Sequence, residues 1–214
     1  MVEIGKEIIV AGILYLPEKF LGKGKSGYSF IATHKNRRFV VKQIHHEPCP
    51  YYSFSHKLQS EINAYSALNY LGITLPKLIA TDEEKEVLVK EYIQGKTGLE
   101  LVVQNDVTDF TFNSLFQLSN VLKKSSLNID YFPPNFVHNG HKLYYIDYEC
   151  NQYDEQWSFE KWGIYYWLNS EGMRMYAEQG DSSGINISPN SGKPITEPFE
   201  NRAKELITKF VKQI

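Results

Sequence analysis

Three glycines near the start of the chain form a candidate phosphate-binding loop. Gly22, Gly24 and Gly27 satisfy the pattern G-x-G-x-x-G. Backbone N–H groups approach phosphate oxygens closely only where side chains are absent, so such a loop suits a nucleotide. Alone the pattern is weak, because three glycines in a turn can also form a tight bend and nothing more.

The residues around the glycines separate three kinds of nucleotide-binding loop. A dinucleotide fold requires a helix directly after the loop, whereas residues 28–33 have a strand pattern. A Walker A loop requires a glycine five positions before Gly24, where Lys19 stands. A glycine-rich hairpin continues into a turn and another strand, which Lys35-Asn36-Arg37-Arg38 and residues 39–42 predict. Only the hairpin fits this context.

A lysine and a glutamate in two apolar segments predict a buried ion pair. Lys42 ends the apolar run 39–42, where a lysine is unfavourable unless its ammonium is paired. Glu61 lies three residues after Leu58 and four before Tyr65, so it lies on the apolar side of a predicted helix. A buried lysine and a buried glutamate on adjacent elements explain each other. The alternative is an ordinary surface lysine and a glutamate at the boundary of the core.

Three polar residues in the second half form another candidate group. Asn135 follows Asp130 by five residues, and Asp147 comes twelve residues later, directly after the apolar run 143–146. Asp130 can also be a turn cap, and Asn135 a turn residue after two prolines. A carboxylate that closes a buried strand favours a nearby cation, so Asp147 is harder to explain structurally.

Taken in order, these residues resemble the protein-kinase-like superfamily. The resemblance runs from about residue 14 to residue 167, and it also includes a hinge at Glu91-Tyr92. It implies that Lys42 binds the α- and β-phosphates of ATP, that Glu61 orients Lys42, and that Asp130 accepts the proton of the attacking hydroxyl. It also implies that Mg²⁺ is bound by Asn135 and Asp147. The implied nucleotide-binding residues are Gly22, Gly24, Gly27, Val40 and Glu91.

The resemblance implies an ATP- and Mg²⁺-dependent phosphotransferase acting on hydroxyl groups, with protein serine or threonine as the leading acceptor. Some residues depart from the protein-kinase pattern: Asn128 and Phe132 replace the usual histidine and lysine beside Asp130. Asp147-Tyr148-Glu149 instead resembles the choline and aminoglycoside phosphotransferases. Among these families, the chain most resembles the short bacterial serine/threonine-kinase-like proteins. A small-molecule kinase and a nucleotide-binding pseudokinase therefore stay open as alternatives.

The predicted elements give an α+β fold with two lobes. Residues 1–94 have strand patterns and one helix over residues 54–71, with Leu58, Ile62, Tyr65 and Leu68 on its apolar side. Residues 95–214 are mainly helical and carry one hairpin, for which Asn139-Gly140 predicts a type I′ turn. Together with the resemblance, these patterns imply a kinase-like domain with an antiparallel-sheet N-lobe and a shortened helical C-lobe.

Net charge, hydrophobic segment length and cysteine content limit the partners and the cellular compartment that we expect. The formal net charge of −2 lacks the basic surplus that nucleic-acid binding requires. The apolar stretch 8–17 is too short to span a bilayer, which takes about 20 residues, and we expect no membrane partner. Two distant cysteines are typical of a reducing compartment, so a cytoplasmic protein is expected. The partners expected are a nucleotide and an unidentified protein or small-molecule acceptor.

A histidine-rich segment is a weaker candidate for a metal site. His45, His46 and Cys49, with His56 nearby, are residue types that bind zinc. Their spacing is not that of a standard zinc finger, and adjacent histidines in a strand point to opposite faces. An ordinary loop is the favoured interpretation.

Overall fold

The computed structural model describes residues 1–47, 56–189 and 191–211 of the 214-residue chain. The fold is α+β, as predicted, with antiparallel strands and several helices. It divides into two compact units: the first takes Met1–Asn69 and Leu75–Ile93, and the second takes Tyr70–Thr74 and Gln94–Ile214. Within the described residues, no helix is both long and apolar enough to cross a membrane.

The first unit is built on a six-stranded antiparallel sheet, as far as the described residues extend, with the strand order β1-β2-β3-β4-β6-β5. The elements of this unit are β1 (Ile8–Val10), β2 (Ile13–Lys23), β3 (Gly27–His34), β4 (Arg37–Ile44), helix α1 (Lys57–Tyr70), β5 (Leu78–Asp82) and β6 (Val87–Glu91). Strands β4 and β6 therefore lie inside the sheet, with neighbours on both sides.

The two faces of this sheet differ in polarity. Side chains alternate between faces along a strand, and paired residues of neighbouring strands share a face. Val41 pairs with Val89, and both belong to an apolar cluster that also includes Tyr15. Val40 and Lys42 lie on the opposite face of β4, and both are buried. The buried charge of Lys42 thus lies on the face opposite the apolar cluster.

Helix α1 differs in detail from its prediction. The helix spans Lys57–Tyr70, and residues 54 and 55 of the predicted helix lie outside the described residues. Leu58, Glu61, Ala64 and Leu68 are buried, whereas Ile62 and Tyr65 are half-buried. The small Ala64 packs where the pattern favoured Tyr65, because the buried stripe is centred on the side that carries Glu61.

The second unit is mainly helical and carries two small antiparallel sheets in its described part, with the orders β10-β9-β7 and β11-β8. Its strands are β7 (Lys96–Thr97), β8 (Leu127–Asn128), β9 (Phe136–His138), β10 (Leu143–Tyr145) and β11 (Asn151–Gln152). Its α-helices are α2 (Gly98–Val103), α3 (Asp109–Lys124), α4 (Ile164–Leu168), α5 (Ser170–Gln179) and α6 (Glu200–Val211). Two 3₁₀ turns and one π-helical turn complete it: Pro133–Asn135, Glu155–Trp157 and Phe159–Gly163.

The predicted hairpin exists, but its turn is not of type I′. Strands β9 and β10 are joined by the four residues 139–142 rather than by two. A type I′ turn needs positive φ at both central residues, and only Gly140, with φ of 93°, has it. The side chain of Asn139 instead accepts the backbone N–H groups of His141 (3.0 Å) and Lys142 (2.9 Å). Asparagine here stabilises the longer loop with its side chain.

The π-helical turn packs closely on the segment that carries Asp130. Gly163 donates its N–H to the carbonyl of Ser158 at 3.2 Å, the i→i+5 bond of a π-helix. A Cβ on Gly163 would lie 2.5 Å from Cβ of Tyr131, so a side chain at this position would collide with the neighbouring residue. This contact brings the π-turn and the following helix α4 against the Asp130 segment.

Candidate functional site

Lys42 and Glu61 form an ion pair inside the first unit. The Nζ atom of Lys42 lies 2.8 Å from Oε1 of Glu61, and the two side chains are 9% and 3% exposed. Ser26 donates its hydroxyl to the same oxygen at 3.2 Å. Oε2 of Glu61 is buried and has no hydrogen-bond partner among the described residues. The sheet and helix α1 therefore enclose a compact polar group of one ammonium, one carboxylate and one hydroxyl.

The position of Lys42 follows from its strand. Lys42 pairs with Ser29 on β3 and with Leu88 on β6, so its backbone is held from both sides. Burial of its side chain against α1 leaves Glu61 as an acceptor for the ammonium. Because an isolated buried ammonium is strongly unfavourable, each residue of the pair requires the other.

The three glycines lie around the connection between β2 and β3: Gly22 is in β2, Gly24 is in the turn and Gly27 begins β3. The N–H of Gly24 donates to the carbonyl of Gly27 at 2.8 Å and closes the turn. A Cβ on Gly27 would lie 2.8 Å from the carbonyl oxygen of Gln43 and 3.0 Å from Cε of Lys42. Gly27 is therefore glycine because it packs against the strand that carries Lys42.

Packing does not explain why Gly22 and Gly24 are glycines. A Cβ on Gly22 would meet no atom within 4 Å, and one on Gly24 would meet only the carbonyl oxygen of Gly27 at 3.8 Å. Neither residue has a positive φ. Neither sterics nor backbone conformation thus requires glycine at these two positions, so a tight bend does not explain them. Both expose backbone that a ligand can approach.

The histidine-rich segment makes contacts within the first unit. Nε2 of His45 lies 3.1 Å from the carbonyl oxygen of Gly24, and Nε2 of His46 lies 2.5 Å from Oε2 of Glu86. Cys49 lies outside the described residues. Over residues 1–47, 56–189 and 191–211, no cluster of three or more histidine, cysteine, aspartate or glutamate side chains could hold a metal ion.

Val40 and Glu91 lie on neighbouring strands. Val40 is buried on the same face of β4 as Lys42. Glu91 ends β6 and is half-buried, and its Oε2 accepts the backbone N–H of Lys77 at 3.2 Å. Lys90 beside it is only 7% exposed and was missed by the sequence analysis. The signal was present, because Lys90 ends an apolar run just as Lys42 does.

The second unit brings Asp130 and Asn135 together in one loop. Oδ1 of Asp130 accepts the backbone N–H of Phe132 at 2.9 Å. Nδ2 of Asn135 donates to the carbonyl oxygen of Asp130 at 3.3 Å, and this asparagine ends the 3₁₀ turn Pro133–Asn135. Both side chains make hydrogen bonds within the loop, as the alternative interpretation of Asp130 and Asn135 as turn residues predicts. The bond from Asn135 uses its amide nitrogen and does not involve its amide oxygen Oδ1.

Asp147 is connected to the same loop through the hairpin. The N–H of Ile146 donates to the carbonyl oxygen of Asn135 at 2.9 Å, which fixes the residue directly before Asp147. Burial, followed by the carboxylates of Asp147 and Asp130, raises the pKa of the Tyr145 hydroxyl well above its ordinary value. Both carboxylates therefore act electrostatically on the same buried phenol, while Asn135 is joined to the residue before Asp147 by the backbone hydrogen bond.

Trp167 supports this loop from α4. Its Nε1 donates to the carbonyl oxygen of Tyr131 at 2.8 Å. Its ring contacts the ring of Phe136 with centroids 5.5 Å apart. A tryptophan N–H that is buried needs an acceptor, and here the acceptor is the peptide next to Asp130. No sequence pattern predicts this hydrogen bond, because it joins residues that are 36 positions apart in the chain.

The oxygen atoms of this loop suit a hard cation. Two half-buried carboxylates and one amide oxygen are the ligand types that Mg²⁺ takes, usually together with water and phosphate oxygens. Two carboxylates and an amide supply only part of the octahedral coordination of such an ion, and water or phosphate oxygens would supply the rest. The residues fit a magnesium ion that arrives with a phosphate group.

No known protein-family model matches this chain, and no curated protein sequence matches it significantly. Functional conclusions therefore depend on the residues and their contacts.

Proposed function

We propose that this protein is a Mg²⁺-dependent phosphotransferase that moves the γ-phosphate of a nucleoside triphosphate to a hydroxyl group. The resemblance to kinase-like proteins implies ATP as the donor and protein serine or threonine as the leading acceptor. The observation that carries the proposal is the buried ion pair of Lys42 and Glu61 at 2.8 Å.

A buried ion pair contributes little to stability. Desolvation of the two charges offsets their attraction, and apolar residues of similar volume often serve equally well. A glutamate oxygen without a hydrogen-bond partner, such as Oε2 of Glu61, adds to the unfavourable side. A lysine held by a carboxylate is, however, well suited to bind phosphate, because its position is fixed while its charge is kept.

The glycine turn supports the same function. Gly22 and Gly24 have open space where their side chains would lie, and their backbone does not require glycine. Short, bare backbone is what close approach of a phosphate needs. Ser26 belongs to the same turn and already donates to the carboxylate that holds Lys42.

The residues of the second unit would perform the remaining roles. Asp130 would accept the proton of the acceptor hydroxyl, whose oxygen attacks the γ-phosphorus as the bond to the leaving nucleoside diphosphate breaks. Asn135 and Asp147 would hold Mg²⁺, which neutralises phosphate charge when bound. Phosphoryl transfer depends mainly on positioning and electrostatic stabilisation, so a loop fixed by several hydrogen bonds suits it.

A magnesium titration of nucleotide binding tests the proposal. The wild-type protein should bind nucleotide more tightly as Mg²⁺ is added and should transfer labelled γ-phosphate. Asp147→Ala and Asn135→Ala should each remove the Mg²⁺ dependence, and Asp147→Ala should lower phosphotransfer by at least about 100-fold.

Asp106→Ala is the matched control. Asp106 forms an exposed ion pair with Lys96 at 2.7 Å, a kind of contact that contributes little to stability. It should behave as the wild type does. Wild-type magnesium titrations in both Asp147→Ala and Asn135→Ala would contradict the metal assignment, and absence of nucleotide binding by the wild type would contradict the function.

A small-molecule kinase is a second candidate, and one contact favours it. Strand β11 (Asn151–Gln152) begins four residues after Asp147 and pairs with β8 (Leu127–Asn128). The chain after Asp147 is thus tied back at once to the segment before Asp130. This leaves no long loop between Asp147 and β11 on which a protein substrate could be positioned.

A further inference from the structure

Lys90 is a second buried lysine on the face of the sheet that carries Lys42. It pairs with Val40 across β4 and β6, so the side chains of Lys90 and Val40 lie on the same face. Lys42 lies two residues further along β4 and pairs with Leu88. Both lysines are 7% exposed. This face therefore carries two ammonium groups, one at each end of a short strip that includes Val40.

The two ends of this strip differ in what they offer a ligand. Lys42 shares its glutamate with the glycine turn, which makes its end the phosphate end of the proposed site. Lys90 lies beside Val40, at the end where a nucleotide would place its base. An ammonium group has three donors and no acceptor, so Lys90 can keep a protein partner and still donate to a ligand.

Purines differ in what they present to such a donor. Guanine and hypoxanthine carry a carbonyl oxygen at position 6 beside the acceptor N7, whereas adenine carries an amino group, a donor, at position 6. A lysine can donate to both O6 and N7 of guanine or hypoxanthine, whereas at position 6 of adenine its ammonium faces another donor. The chemistry of Lys90 therefore favours a 6-oxopurine.

We propose that Lys90 makes the nucleotide site prefer 6-oxopurine triphosphates, GTP and ITP, over ATP. This inference rests on the proposed function, because it assumes that the base lies against Val40 while Lys42 binds phosphate. The preference concerns the base alone and leaves the transfer reaction unchanged.

Equilibrium binding of GTP, ITP and ATP to the full chain with Mg²⁺ tests the preference. GTP and ITP should each bind about tenfold or more tightly than ATP, the discrimination typical of a lysine that reads a purine edge. ITP lacks the 2-amino group of GTP, so similar binding of these two assigns the preference to position 6. Lys90→Met, which keeps the length of the side chain, should reduce the ratio to about two or less.

The outcomes separate this inference from the function on which it rests. Binding of ATP as tight as that of GTP in the wild type overturns the preference but leaves the phosphotransferase proposal standing. Tight GTP with weak ITP, or an unchanged ratio in Lys90→Met, also overturns it. Failure of all three nucleotides to bind contradicts the proposed function itself. Lys204→Met, at an exposed position of α6, controls for loss of a positive charge, and the wild-type ranking decides if Lys90→Met does not fold.

Discussion

At the scale of single residues, the Lys42–Glu61 pair can be tested separately for stability and for function. Lys42→Met leaves the Glu61 carboxylate buried without its cation, and we expect the free energy of unfolding to fall by about 3 kcal/mol. Nucleotide binding should be lost as well. The double variant Lys42→Met/Glu61→Leu removes both charges, so stability should return close to that of the wild type while binding does not.

Urea unfolding and equilibrium nucleotide binding measure the two effects. The double variant is its own control, because it restores the fold without restoring the cation. A double variant that recovers nucleotide affinity would show that Lys42 has no role in binding. A single variant as stable as the wild type would show that the pair is not buried as described.

The same residues show how far sequence alone leads. Lys42 and Glu61 were predictable because a charge within an apolar period requires a partner, and periodicity gives the face on which each lies. Ser26 was not predictable, because its burial depends on how the turn between β2 and β3 folds onto β4. Lys90 was predictable by the same rule, because it too lies at the end of an apolar run. The α+β class follows from the strand and helix patterns, whereas the loop at Asn139-Gly140 depends on a side-chain contact that the dipeptide does not determine.

At the scale of elements, α4 should act on the Asp130 loop through one hydrogen bond. Trp167→Phe keeps most of the ring and removes the N–H that donates to Tyr131, leaving a buried carbonyl without this donor. We expect stability to fall by about 1–2 kcal/mol and phosphotransfer to fall by about 10- to 100-fold, because small displacements of a catalytic group are costly.

Trp162→Phe is the matched control for this bond. Trp162 also donates its indole N–H, to the carbonyl oxygen of Gly192 at 2.7 Å. The variant therefore removes the same kind of hydrogen bond, but one that does not involve the Asp130 loop. It should lower stability and leave the turnover of folded protein unchanged. Equal losses of turnover in the two variants would indicate that Trp167 acts through global stability only.

The segment after Asp147 should not be a phosphorylation switch. Tyr148 is only 1% exposed. The N–H of Tyr153 donates to the carbonyl of Ser126 at 2.9 Å, and its ring lies below Lys123, 5.8 Å from Nζ to the centroid. Switches of this type order a loop by recruiting basic residues to a phosphate, whereas this segment is already paired with β8.

Mass spectrometry after incubation with nucleotide and Mg²⁺ tests this expectation, together with the turnover of Tyr153→Phe. We expect no stoichiometric phosphate on Tyr148 or Tyr153, and a rate within about twofold of the wild type for Tyr153→Phe. Stoichiometric modification of Tyr153, combined with a large loss of rate in the variant, would refute it.

At the scale of the whole molecule, the acceptor is the property most open to experiment. The net charge of −2 argues against nucleic acid, which leaves proteins and small molecules. Incubation with γ-labelled nucleotide and a cell extract, resolved into protein and metabolite fractions, should place the label in protein if serine or threonine is the acceptor. Asp147→Ala protein serves as the blank. Label confined to the metabolite fraction would reverse the ranking of the two candidate functions.

The π-helical turn at Phe159–Gly163 also limits which changes of chain length this region tolerates. A π-turn holds one residue more than an α-turn, so deletion of the exposed Lys161 would let the helix close with i→i+4 bonds. The wide turn accommodates this extra residue without rotating the chain on its two sides, so that Phe159 and Trp167, although eight residues apart, both contact Tyr131. Without Lys161 the two would be separated by about two turns of an ordinary α-helix and would still lie on one face. Lys161 is thus open to deletion as well as to substitution, whereas removal of one residue from the regular turn of α4 before Trp167 would rotate Trp167 by about 100° and break its contact with Tyr131.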